Sequence, residues 1–158
     1  MRKKFGTRVK DIPGMMQLNC DIRPTRQESY LFANQKYDVT ELLKYLDKKK
    51  KSGEHITFFH AFLTALGKVF YNRPVLNRFV KNRRIYIHPD VSFAFVAKVA
   101  FDDKAEEMMI QCVIDPKDNI HTISKKVSEK VNKVRKDAEH VDKKGANSAM
   151  DVLAKLPN

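Results

Sequence analysis

Apolar residues recur at helical spacing in three stretches of the chain and cluster as strands in several others. Val39, Leu42, Leu43 and Leu46 line one face of a first helix. Asp38 and Glu41 open it as an Asp-x-x-Glu capping box: the aspartate accepts from free helix amides, and the glutamate reaches back to the cap's own amide. Lys48 to Lys51 close it, where positive charge meets the negative end of the helix dipole. Thr57 caps a second helix reaching to about Asn72, with Phe58, Phe59, Phe62, Leu63, Leu66, Val69 and Phe70 around most of its circumference. A helix apolar on nearly every side has to be covered on several sides. Pro74 disfavours helical backbone at Arg73 and ends it.

The third helical pattern runs through Ile123, Val127, Val131, Val134, Ala138 and Val141, with Gly145 as its stop. Its outer face carries Lys125, Lys126, Lys130, Lys133 and Lys136 and reads as a solvated surface. Strand composition appears in the aromatic-rich segment Ser29 to Tyr37, in Val91 to Phe101 and in Met108 to Ile114, the last two linked by the acidic run Asp102 to Glu107. Between Val75 and His88, Lys81-Asn82-Arg83 forms a turn joining two short strands. The punctuation at Gly6, Pro13, Gly14 and Pro24 makes the first residues an extended arm, with at most a short helix near Pro13 to Gln17. Ala149 to Leu156 begins a further helix. Helices and strands in this order predict an α/β (α+β) domain, a mixed sheet covered by helices.

Composition narrows the setting. With 42% apolar and 32% charged residues the chain is that of a folded domain rather than a disordered one. The start, Met1-Arg2-Lys3-Lys4, runs on without the apolar core of a secretory signal. A membrane helix needs about 20 apolar residues in a row. The run from Ile56 to Phe70 is shorter and contains His60, Gly67 and Lys68, so a cytoplasmic protein without a transmembrane segment is expected. Cys20 and Cys112 stand alone, which supports neither a disulfide framework nor a zinc site. The net charge of +12 suits an anionic partner: nucleic acid, acidic lipid or a phosphate-bearing cofactor.

The common catalytic signatures are missing: no glycine-rich phosphate loop, His-Glu-x-x-His helix or Gly-x-Ser-x-Gly turn occurs. His55, His60, His88, His121 and His140 are scattered, and no metal site is expected. The succession is nevertheless distinctive. Asp38-Val39-Thr40-Glu41-Leu42 starts a helix, Pro74-Val75-Leu76-Asn77 follows the apolar helix, and His88-Pro89-Asp90-Val91 leads from the hairpin into a strand. In this succession, from Ser29 to Lys144, the chain resembles the first part of the catalytic domain shared by chloramphenicol acetyltransferase and the acyltransferase subunits of 2-oxo acid dehydrogenase complexes.

The resemblance implies a two-layer sandwich and a homotrimer, with coenzyme A and a small-molecule acyl acceptor entering a channel between subunits. It divides the chain into an extended arm, residues 1–28, and the N-terminal part of an acyltransferase-like catalytic domain, residues 29–158, an incomplete fold. Catalysis in that family depends on a His-x-x-x-Asp-Gly motif, whose histidine is the general base. Four positions beyond the five histidines stand Phe59, Thr64, Ser92, Lys125 and Lys144, so the motif is absent and no catalytic residue is assigned in this chain. Early strands of the family contribute to the channel wall, which makes Tyr30, Phe32, Phe93 and Phe95 substrate-channel candidates. No lipoyl-bearing domain is expected, because Asp103-Lys104-Ala105 lies between strands. The expected function is therefore coenzyme A-dependent acyl transfer to a thiol or hydroxyl, with the catalytic half missing from this chain. The alternatives are a non-catalytic oligomerisation relative and a basic module for nucleic acid or anionic membrane. Against nucleic acid, the aromatics fall mainly in apolar segments rather than among basic residues.

Overall fold

The computed structural model of the chain describes residues 6–99, 105 and 107–140. Over these residues it is a mixed α+β structure with four helices and two small antiparallel sheets. In chain order these are β1 (Thr7–Arg8), α1 (Gly14–Ile22), α2 (Thr40–Lys51), α3 (Phe58–Asn72), β2 (Arg78–Lys81), β3 (Arg84–Ile87), β4 (Val91–Lys98), β5 (Glu107–Ile114) and α4 (Ile120–His140). Short 3-10 turns occupy Gln27–Ser29 and Pro74–Asn77. The chain forms two compact units, Met1–Ser92 with Val113–Ser124 and Phe93–Cys112 with Lys125–Asn158.

In the first unit, β1, β3 and β2 form an antiparallel sheet with β3 in the middle. The hairpin expected at Lys81-Asn82-Arg83 is present, and Asn82 and Arg83 take φ of 50° and 58°. Two successive left-handed residues give a turn whose twist matches that of the flanking strands. Helix α1 is longer than the sequence pattern suggests and braces this turn: Gln17 Nε2 donates to the Arg83 carbonyl at 2.7 Å, and Asp21 lies 3.8 Å from the Arg83 guanidinium. Gly6, at φ 124°, lets β1 approach β3, since a Cβ there would sit 2.5 Å from the Ile87 carbonyl oxygen.

Helix α3 buries one stripe, His60, Leu63 and Gly67. At Gly67 the helix meets the end of β5 so closely that a Cβ would lie 2.9 Å from Ile114 Cγ2. One turn on, the Tyr71 hydroxyl donates to the Ile114 carbonyl at 2.6 Å. Leu46, Ile56, Leu63, Ile85, Val91, Ile114 and Ile123 are the buried aliphatics of this unit, and Cys20 is buried with them. Among the described residues Ile110, Cys112 and Val127 are the buried ones of the second. Burial alternates along β5, with Ile110, Cys112 and Ile114 inward and Gln111 and Val113 outward, as a sheet covered on one face requires.

Three expectations are corrected. Ser29 to Tyr37 is not a strand: after the 3-10 turn the backbone to Val39 has no regular structure, and Leu31 and Phe32 are 90% and 92% exposed. Strand propensity is mostly the fit of side chains to a neighbouring strand, and this segment has no ladder partner among the described residues. The capping box at α2 does not form. Asp38 Oδ1 does accept from the Thr40 amide (2.9 Å) and hydroxyl (2.6 Å), but Val39 is the cap and Glu41 pairs with Lys44 at 2.7 Å. Helix α3 is not covered all round, because Phe58, Phe62 and Val69 are exposed opposite its buried stripe. Strand β4 ends at Lys98 and β5 starts at Glu107. Phe101, most of the acidic link, Val141, Gly145 and the helix expected at Ala149 to Leu156 lie outside the described residues.

Substituting Gly67→Ala tests the α3 docking. Alanine is the better helix former by about 1 kcal/mol, yet its methyl meets the buried, β-branched Ile114. We expect net destabilisation of about 1 kcal/mol in urea unfolding, because overpacking a filled contact typically costs about 1–3 kcal/mol. A neutral or stabilising result contradicts the close approach.

Candidate functional site

The four channel candidates fall into two pairs. Tyr30 and Phe32 sit on the irregular segment before α2, where their rings meet edge to face at 6.1 Å between centroids. The Arg26 guanidinium lies 5.9 Å from the Tyr30 ring, a cation–π contact at an exposed site. Phe93 and Phe95 are two residues apart on β4, half-buried on the same face of the strand. Tyr30 and Phe32 belong to the first compact unit, Phe93 and Phe95 to the second.

A further polar cluster was not anticipated from the sequence. It centres on the loop between α2 and α3. Glu54 holds Lys49 Nζ at 2.7 Å through one carboxylate oxygen and His121 Nδ1 at 2.8 Å through the other. The hydrogen bond from Lys49, more than its charge, holds the Glu54 carboxyl below its ordinary value, and the bond to Glu54 raises Lys49. The His55 carbonyl accepts from the buried Ser124 hydroxyl at 2.8 Å. The last turn of α2, the loop and the first turn of α4 are thereby tied together.

The first turn of α4 is fixed by its own cap. Asn119 Oδ1 accepts from the amides of His121 (3.0 Å) and Thr122 (3.1 Å), and Thr122 Oγ1 accepts from the Asn119 amide at 2.9 Å. This Asn-x-x-Thr reciprocity presents His121 toward Glu54.

Helix α3 starts with a capping box built on histidine. The His60 amide donates to Thr57 Oγ1 at 3.4 Å, and the Thr57 amide donates to His60 Nδ1 at 3.1 Å. An acceptor at Nδ1 carries no proton, so the ring proton of neutral His60 sits on Nε2. The side chain is 5% exposed, and burial, helped by the charge of His55, pushes its pKa below the ordinary histidine value. A buried, neutral imidazole serving as a helix cap is a structural group. The imidazole of His88 instead packs on Phe79.

Chemically, the Glu54–His121 pair is a carboxylate holding one nitrogen of an exposed imidazole, an arrangement that orients the ring and leaves its other nitrogen open. No serine, threonine or cysteine is bonded to that nitrogen among the hydrogen bonds described. Among the described residues no group of three His, Cys, Asp or Glu side chains is placed to hold a metal ion. Nor is any helix of the described residues long and apolar enough to cross a membrane.

Two pH responses follow. His60 binds its proton less readily folded than unfolded, so its contribution to stability is complete above the unfolded value near 6.5 and is lost as pH falls below it toward the lowered folded value. His60→Gln keeps a side-chain acceptor at the third helical position without titrating. The wild type should therefore lose melting temperature relative to this variant as pH falls below about 6.5, and parallel curves contradict the assignment. For Glu54 the depressed carboxyl gives stability above its unfolded value near 4.5 and loses it as pH falls through the folded value. Glu54→Gln should lower the melting temperature modestly at neutral pH and converge with the wild type in acid, as differential scanning calorimetry at both ends would show.

No protein-family model, no curated protein and no solved structure matches this chain.

Proposed function

We propose that the chain is the N-terminal part of a coenzyme A-dependent acyltransferase domain, a two-layer sandwich that assembles as a homotrimer and transfers an acyl group to a small-molecule thiol or hydroxyl. The observation that carries this reading is the half-covered state of α3. A helix apolar around most of its circumference buries only the His60–Leu63–Gly67 stripe, leaving Phe58, Phe62 and Val69 exposed. Such a surface calls for further structure to cover it, from the same domain or from a second copy. The order α2, α3, hairpin, β4, β5, α4 agrees with the succession expected from the resemblance. The strand expected ahead of α2 is lacking, which removes one element of that succession.

In this reading the general base comes from residues other than these 158. Coenzyme A would bring its phosphates to a chain of net charge +12. Phe93 and Phe95 of β4 are proposed to line the acceptor channel once the assembly is complete; Tyr30 and Phe32 lose the ground on which they were candidates, since their segment is not a strand.

The same exposed stripe favours a second reading, a non-catalytic relative that keeps only the oligomer contacts. Assays of acyl transfer from acyl-CoA on this chain, and on the longest product of its reading frame, separate the two. The acyltransferase reading expects no turnover by the 158 residues. It expects turnover by a longer product bearing His-x-x-x-Asp-Gly, falling by about 100-fold or more when that histidine is replaced. Turnover by the short chain, or a reading frame without the motif, overturns it; a trimer in sedimentation without turnover in any form supports the non-catalytic reading.

A further inference from the structure

We infer that one face of the three-stranded sheet binds single-stranded nucleic acid. The strand register puts Arg8, Tyr86 and Phe79 in one cross-strand row and Lys81 opposite Arg84 in the next. Alternation along the chain turns the His88 side chain to the same side as Tyr86 and Arg84. Phe79 touches both other rings: its centroid lies 5.5 Å from that of Tyr86 with the planes 21° apart, and 4.2 Å from that of His88. His88, Arg8, Lys81 and Arg84 are exposed, and Phe79 and Tyr86 are half-buried. On the other face the central-strand Ile85 is buried while its partner Val80, on the edge strand β2, is exposed, and the aromatic side is the more open of the two, with Arg8, Lys81, Arg84 and His88 all exposed. None of the residues of β1, β2 and β3 is acidic.

This face therefore combines three packed rings, one of them exposed at the end of the group, with cations spaced across three strands. Charge complementarity selects a polyanion, and the rings select one with flat groups to stack on the exposed imidazole. Single-stranded nucleic acid has both, with bases free to stack and phosphates at regular intervals. A duplex keeps its bases paired and stacked among themselves, and a lipid surface offers no rings. The inference is independent of the acyltransferase reading, and it concerns the hairpin rather than the lysine face of α4.

Fluorescence anisotropy of a short labelled oligothymidylate, titrated with the full chain at about 50 and about 200 mM salt, tests it. We expect affinity to fall steeply with salt. His88→Ala should weaken binding about tenfold, the loss of one base stacking on a ring. The double replacement Arg8→Ala with Arg84→Ala should flatten the logarithmic salt dependence by about 1.4, two phosphate contacts' worth for a single strand. Replacing Lys125 and Lys130 of α4 by alanine should leave affinity unchanged. An abasic strand of equal length should bind about tenfold more weakly than the thymidylate, a readout that needs no variant. Equal binding of the abasic strand overturns the inference, as does an unaffected, folded His88→Ala protein. So does loss of binding through the α4 lysines alone, or binding to vesicles of anionic phospholipid without binding to the oligonucleotide.

Discussion

The contact between Gly67 of α3 and Ile114 at the end of β5 sets the position of everything around it in the first unit. With no side chain at Gly67 the helix backbone comes down onto the isoleucine methyl, and the Tyr71 hydroxyl takes up the Ile114 carbonyl one turn later. Burial, with the charges of Asp115, Asp90 and Asp118 nearby, pushes the pKa of that phenol above its ordinary value. A larger residue at 67 would lift the helix off the strand, and the His60–Leu63 end of the same stripe would rise with it. The N-terminus of α3 is held in turn by Thr57 and His60, whose reciprocal bonds satisfy two amides that the helix leaves open.

The loop feeding into that cap is tied at several points rather than buried. Glu54 joins Lys49 and His121, and Ser124 reaches the His55 carbonyl. Each exposed ion pair contributes little by itself. Their combined effect is geometric: the loop between α2 and α3 has one conformation that satisfies both neighbouring helices. One side of α3 is thus fixed by packing, while Phe58, Phe62 and Val69 on its opposite side are exposed.

What could be read from the sequence depends on how local its cause is. The Asn82-Arg83 turn, the Thr57 cap, the extent of α3 and the start of the α4 stripe at Ile123 and Val127 all follow from residues within a few positions of one another, and each was legible. The role of His60 as partner of Thr57 was not, because glutamate or glutamine is the usual residue there and the imidazole acts only in one tautomer. The segment Ser29 to Tyr37 was misread because aromatic composition alone does not supply the neighbour a strand needs. The bridge from Glu54 to His121 joins residues far apart in the chain, and no local pattern announces it. Least legible was the row of Arg8, Tyr86 and Phe79: the basic and aromatic residues interleave only across strands, through a register that pairs the start of the chain with the hairpin.

Helix α3 is packed on one side only, and hydroxyl-radical footprinting read by mass spectrometry examines this residue by residue. In solutions dilute enough for sedimentation to show monomer, Phe58 and Phe62 should be modified far more readily than Leu63, which is 4% exposed and next in sequence to Phe62. Protection of Phe62 equal to that of Leu63 under those conditions would contradict the one-sided packing of α3.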